Sequence, residues 1–184
     1  MRMAASTTIT SQDEWTLHGG AWDSIQRQWG AYAARGQAAP RRLLIATGAT
    51  LDDPSARRLW PYMTLRLPLR LRTTAEEREA IRLAVEQLGV SSLVVMGSTR
   101  DVERVPPDAG ALERPPYERM RAAARRAHER FERVRAEVRD EVRALCGLPY
   151  ASRRPLMTMG VVHAVESGTW LVFQPEADQF TIVE

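Results

Sequence analysis

The sequence predicts a single layered α/β domain with a mostly parallel central sheet, an antiparallel edge strand and an N-terminal helical arm. Three observations predict it. The apolar runs LLIA at 43–46 and LVVM at 93–96 lead directly into polar turns, the pattern of parallel strands buried on both faces. Segments with apolar residues three and four positions apart lie between and after these runs, so strands alternate with helices. From Met157 onward the chain reads as extended runs separated by short turns, the pattern of a hairpin at a sheet edge. A chain of 184 residues fits one such domain, here divided into an arm at 1–39 and the α/β body at 40–184.

In the arm, AWDSIQRQWGAYAARG places Trp22, Ile25, Trp29 and Tyr32 or Ala33 on one helical stripe. Trp15, Trp22 and Trp29 are seven residues apart, but Gly19 and Gly20 interrupt a continuous seam. The tryptophans are therefore expected to dock on the chain's own body or on a partner. RRLLIATG is the first core strand, and DDPSARRLW opens a short helix with Pro54 near its first turn. MTLRLPL at 63–69 is the second strand, with Pro68 favouring its edge or end.

The segment 74–88 is a helix, capped by Thr73 or Thr74, with Glu76 and Glu77 in its first turn and Gly89 as its stop. SSLVVMG is the third strand, and the proline-rich stretch 102–116 is a surface loop. The longest helix spans Pro116 to Cys146, where Tyr117, Met120, Ala124, Ala127, Phe131, Val134, Val138, Val142 and Leu145 form one stripe. That stripe is expected to be buried, and Cys146 reads as a small buried residue. MTMGVVHAV and TWLVF form a hairpin around ESG, with DQFTIVE as a further extended piece and His163 facing a dimer partner.

Composition narrows the chemistry. The single cysteine excludes an intrachain disulfide, and the absence of any lysine excludes Schiff-base, phosphate-loop and general-base lysines. Ten arginines between Arg114 and Arg143 are interspersed with six acidic residues, which describes a solvated helix face rather than a nucleic-acid interface. No apolar stretch approaches the roughly 20 residues that span a bilayer, and the N-terminus lacks a signal-type apolar core. The expectation is a cytoplasmic protein without membrane or nucleic-acid partners.

The two strand-to-turn segments lie where open α/β sheets bind ligands. The first offers Thr47, Thr50 and Asp52, and the second offers Ser98, Arg100 and Asp101. Arg66 and Arg70 follow on one face of the second strand. Neither turn has a Cys or His, and Cys146, His18, His128 and His163 are scattered, so no metal and no cofactor is expected.

These segments together resemble the β-class carbonic anhydrases. AIRLAVEQLGVSSLVVMG resembles the family's approach to its second ligand turn. VRDEVRALCGLP is similar to its late helix, and VVHAVESGTWLVFQPEADQF to its terminal hairpin. The resemblance covers roughly 40–184 and implies a three-layer domain that pairs into a homodimer through the arm and the sheet edge. The family's first turn is Cys-x-Asp-x-Arg, and Ala46, Gly48 and Thr50 stand at those three positions. In its His-x-x-Cys turn, Ser98 replaces the His and Asp101 the Cys, so every signature residue has changed.

The vacated site then supports two readings. In the first, Asp101 and Ser98 perform acid–base chemistry of lyase or hydratase type on a small polar or carboxylated molecule held by Thr47, Thr50, Asp52, Arg100 and Arg66. In the second these groups serve the fold, with Asp101 pairing with Arg100 or Arg104 and Thr47 and Ser98 satisfying strand-end backbone groups. The protein would then be a non-catalytic binding or scaffold homodimer.

Overall fold

The fold was obtained as a computed structural model that describes residues 20–52, 62–68, 70–100, 115–149 and 156–183. Helix α1 (Ala21–Ala34) precedes strand β1 (Arg42–Thr47), the one-turn helix α2 (Gly48–Leu51) and strand β2 (Met63–Leu67). Helix α3 (Ala75–Gln87), strand β3 (Ser92–Ser98) and the long helix α4 (Pro116–Cys146) follow. Strands β4 (Met157–Ala164), β5 (Thr169–Gln174) and β6 (Gln179–Val183) complete the described chain. The six-stranded sheet has the order β2-β1-β3-β4-β5-β6, parallel through β4 and antiparallel at β5 and β6.

Side-chain alternation divides the sheet into two faces. Leu43, Ile45, Leu65, Leu93, Val95, Val162 and Phe173 join Ile25 of α1, Ile81 and Val85 of α3, and Val138 and Leu145 of α4 in the main core. Leu44, Ala46, Val94, Met96 and Val161 form a smaller cluster on the opposite face, where Leu51 of α2 and Tyr62 pack. The layers are therefore three long helices, the sheet, and α2 with its flanking residues. The approach of α4 is set by two glycines. A β-carbon at Gly97 would lie 2.8 Å from Val134 Cγ1 and 2.9 Å from Val138 Cγ2, and one at Gly160 would overlap Val138 and sit 3.0 Å from Phe173 Cβ.

Local chemistry fixes the helix ends. Thr74 and Glu77 form a reciprocal capping box: the Thr74 hydroxyl accepts from Glu77 N at 3.3 Å and the Glu77 carboxylate from Thr74 N at 2.6 Å. Gly89 follows α3 at φ +71°, a conformation that a β-carbon disfavours. Helix α1 closes the free edge of β2, because the Gln28 amide donates to Thr64 O at 2.8 Å and accepts from Thr64 N at 2.7 Å. One side chain thus supplies both bonds that a neighbouring strand would make. Among the described residues, no helix is long and apolar enough to cross a membrane.

Several expectations change. The helix after β1 starts at Gly48, immediately at the strand end, and the stretch expected to open with Pro54 lies outside the described residues. Strand β2 ends at Leu67, one residue before Pro68. The α4 stripe is buried only from Val134 onward, whereas Tyr117 and Met120 are 64% and 73% exposed. Cys146 is exposed, because each helical residue turns about 100° and the residue after inward-facing Leu145 points away from the core. Its thiol is pushed above the usual range by partial burial, against a lowering hydrogen bond with Thr158 and with a further rise from the Glu176 charge.

Candidate functional site

The parallel strands end together, and their register decides which terminal side chains meet. Ala46 is partnered by Arg66 on β2 and by Met96 on β3, Ser98 by His163 on β4, and His163 by Trp170 on β5. Partners in register share a face. Arg66, Ala46, Ser98, His163 and Trp170 therefore form a band across the face opposite α4, at the carboxyl ends of the parallel strands. Ser98 is fully buried and His163 is 6% exposed. The His163 ring stacks on Trp170 with centroids 4.0 Å apart and planes inclined by 9°. This overturns the expectation that His163 faces a partner: the hairpin turns it inward onto the indole.

The turn after β3 is held by named bonds. The Ser98 hydroxyl accepts from Arg100 N at 3.2 Å, and Thr99 N donates to His163 O at 3.1 Å. The Thr99 hydroxyl donates to Glu166 Oε2 at 2.5 Å and accepts from Val165 N at 3.0 Å. Arg130 of α4 donates to the other Glu166 oxygen at 2.8 Å. Burial opposes ionisation of the Glu166 carboxyl, yet the bonds from Thr99 and Arg130 outweigh it and hold that carboxyl below the usual range.

At the rim, Arg66 reaches Asp52 at 3.7 Å, and both side chains are well exposed. Its guanidinium lies over Gly48, where a β-carbon would come within 2.6 Å of Nη2. A side chain at position 48 would displace the flexible Arg66 guanidinium from this place. Thr50 is fully buried within α2, and Arg100 is exposed. Asp101 lies outside the described residues, and Arg70 falls beyond the end of β2, so strand alternation no longer pairs it with Arg66. Thr47 is a correction: its register partner is Leu67, a residue of the helix-covered core, so it turns away from Ser98. The Thr47 hydroxyl is buried without a hydrogen-bond partner among the described residues.

The family's zinc chemistry does not fit these donors. Ala46 stands where the resemblance requires a thiolate, and its methyl group packs with Leu44, Val94, Met96 and Val161. Among the described residues, no group of three or more His, Cys, Asp or Glu side chains could hold a metal ion. A groove of about 470 Å³ at the amino end of α3 is separate from the carboxyl-end band. Its lining includes Arg78, which donates to Thr73, and Arg82, which pairs with Glu79 and Glu86.

Sequence reasoning missed Trp170, Thr99 and Glu166 as parts of this arrangement. The hairpin did carry a signal for one of them, since the four-residue turn 165–168 sets Ala164 opposite Thr169 and hence His163 opposite Trp170. The Thr99–Glu166–Arg130 connection joins three separate elements and left no comparable spacing in the sequence.

No family model and no curated protein sequence matches the chain. Solved structures do match. The β-carbonic anhydrase CcaA superposes with a TM-score of 0.51 at 15% identity, over 89% of this chain and 85% of that chain. A structure from a study of two tetrameric β-carbonic anhydrases of the filamentous ascomycete Sordaria macrospora gives 0.43 at 18% identity, over 87% of this chain and 93% of that chain. A Coccomyxa β-carbonic anhydrase, solved with acetazolamide, gives 0.43 at 14% identity, over 86% and 82% respectively. The CcaA superposition carries the assignment: the chain is a divergent protein of the β-carbonic anhydrase fold, whose described residues hold no metal-binding cluster.

Proposed function

We propose that the chain acts without zinc, binding a small polar or carboxylated molecule at the carboxyl ends of β1, β3 and β4. The observation that supports this reading is the juxtaposition of buried Ser98 with buried, Trp-stacked His163, on the same sheet face and at the same strand ends as Ala46 and Arg66. Arginine recognises a carboxylate through paired hydrogen bonds, and a hydroxyl beside an imidazole can position or relay a proton. In this reading Ser98 and Asp101 are the acid–base groups of a lyase or hydratase-type reaction, Arg66, Arg100, Asp52 and Thr50 border the substrate, and Thr47 supports the strand end from the other face. The tryptophan-bearing arm pairs two copies into a homodimer.

A thermal-shift screen of small mono- and dicarboxylates tests the pocket. At least one compound is expected to stabilise the wild-type protein and to lose that effect in Ser98→Ala and Arg66→Gln, with circular dichroism unchanged. Turnover of that compound by the wild type and not by Asp101→Ala would establish catalysis. Equal stabilisation of all variants, or none of any, would remove the pocket. Light scattering on the same samples should give about twice the 20.7 kDa chain mass, and a monomer would remove the dimer. The exposed Tyr117 and Met120 favour a second reading, a non-catalytic scaffold that engages a partner through α4.

A further inference from the structure

The opposite, amino end of the sheet carries a second arrangement. A groove of about 440 Å³ is lined there by Pro40, Arg41, Arg42, Ser91, Ser92 and Met157. Its composition follows from the register: Arg42 is partnered by Ser92, and Ser92 by Met157, so the three side chains stand in one row across β1, β3 and β4. Neighbouring strands are about 4.8 Å apart, so the row spans about 10 Å, the reach of one small molecule.

The centre of that row is unusual. Ser92 is only 4% exposed, and its hydroxyl has no hydrogen-bond partner among the described residues. A buried hydroxyl left in that state costs about 1–3 kcal/mol, a cost that a ligand donating or accepting at the groove would remove. The surrounding backbone is already fixed: Ser91 N and Ser92 N donate to Arg41 O at 2.9 and 3.1 Å, and Met157 N donates to Ser91 O at 3.0 Å. The residues that line the groove include two arginines and no Asp or Glu. Met157, 52% exposed, adds an apolar wall beside them.

We infer that this groove binds the oxyanion of a small molecule, phosphate or carboxylate, with the Ser92 hydroxyl and the Arg41 and Arg42 guanidinium groups as donors and Met157 against the ligand's apolar part. Arginine matches both oxyanions in a planar fork, and a hydroxyl donor at the centre completes the set. The site lies at the other end of the strands from Ser98 and His163, so it stands or falls independently of the proposed carboxyl-end pocket.

Calorimetric titration with inorganic phosphate and, separately, with butyrate distinguishes the two oxyanions. At least one probe is expected to bind the wild-type protein. Its affinity should fall about tenfold or more in Ser92→Ala and in Arg42→Ala, the effect of losing a hydrogen bond to a charged group. Arg70→Ala, which removes an exposed arginine away from the groove, should leave the affinity unchanged. Met157→Ser should weaken butyrate and leave phosphate unaffected. Without ligand, Ser92→Ala should melt at the same temperature as the wild type or higher, because no internal bond is lost. Absence of binding by both probes, equal binding by wild type and both groove variants, or marked destabilisation of unliganded Ser92→Ala would each overturn the site.

Discussion

The two halves of α4 have the same sequence periodicity and opposite fates. In the second half Val134, Val138, Val142 and Leu145 are 0–2% exposed and pack over the strands. In the first half Tyr117 and Met120 continue the same stripe and stand in solvent. Length explains the difference. A 31-residue helix is about 46 Å long, whereas the eight residues of β4 span about 26 Å, so the helix is nearly twice as long as the longest strand beneath it. Its second half is the one anchored, because Gly97 and Gly160 admit Val134 and Val138 there. An apolar stripe therefore states which face of a helix would bury, and the sheet beneath decides how much of it does.

The largest effect that tests this contrast is in the anchored half. Leu145→Ala should lower unfolding free energy by about 3 kcal/mol in urea titration, the usual cost of removing a fully buried leucine side chain. A loss below about 1 kcal/mol would mean that this half is not tightly packed.

The boundary between the halves should show an intermediate, pH-dependent effect, because Arg130 joins Glu166 and Thr99 there. A free glutamate titrates near pH 4.3, and folding holds the Glu166 carboxyl lower. The contribution of the ionised group is thus complete above that unfolded value and disappears as pH falls through the folded one. Arg130→Ala should accordingly be less stable than wild type at pH 7, by a small amount because Glu166 is substantially exposed, and the gap should shrink as the pH is lowered through the folded value. A stability gap independent of pH would assign the loss to packing of the arginine stem instead.

The smallest effect belongs to the overhanging half. Met120→Ser should change stability by less than about 0.5 kcal/mol at micromolar protein concentration. A larger, concentration-dependent loss would show that a second copy or another partner covers Tyr117 and Met120, sharpening the scaffold reading against the pocket reading.

Much of the architecture was legible in local sequence. Thr73 or Thr74 with Glu76 and Glu77 announced the start of α3, Gly89 its end, and the ESG turn the hairpin, because caps and turns act through atoms only a few residues apart. The candidate site was legible as a location and not as a set of neighbours. Ser98 was recognised at its strand end, but its pairing with His163 depends on the β3–β4 register, and Thr47 was grouped with it until the register with Leu67 turned it to the other face. A one-residue difference in strand register exchanges faces, and nothing local to either strand records that choice.

The sequence by itself determined the strands and the long helices, that no intrachain disulfide and no lysine chemistry is available, and that the two strand-to-turn segments carry no Cys or His for a family-type zinc site. Only the tertiary structure decided that Ser98 meets His163 and Trp170, that Gln28 seals the β2 edge, that Arg42, Ser92 and Met157 share a groove, and that half of α4 overhangs. The physical reason is range. Periodicity, capping and residue chemistry are properties of short stretches, whereas register, face and coverage are set by packing between residues far apart in the chain.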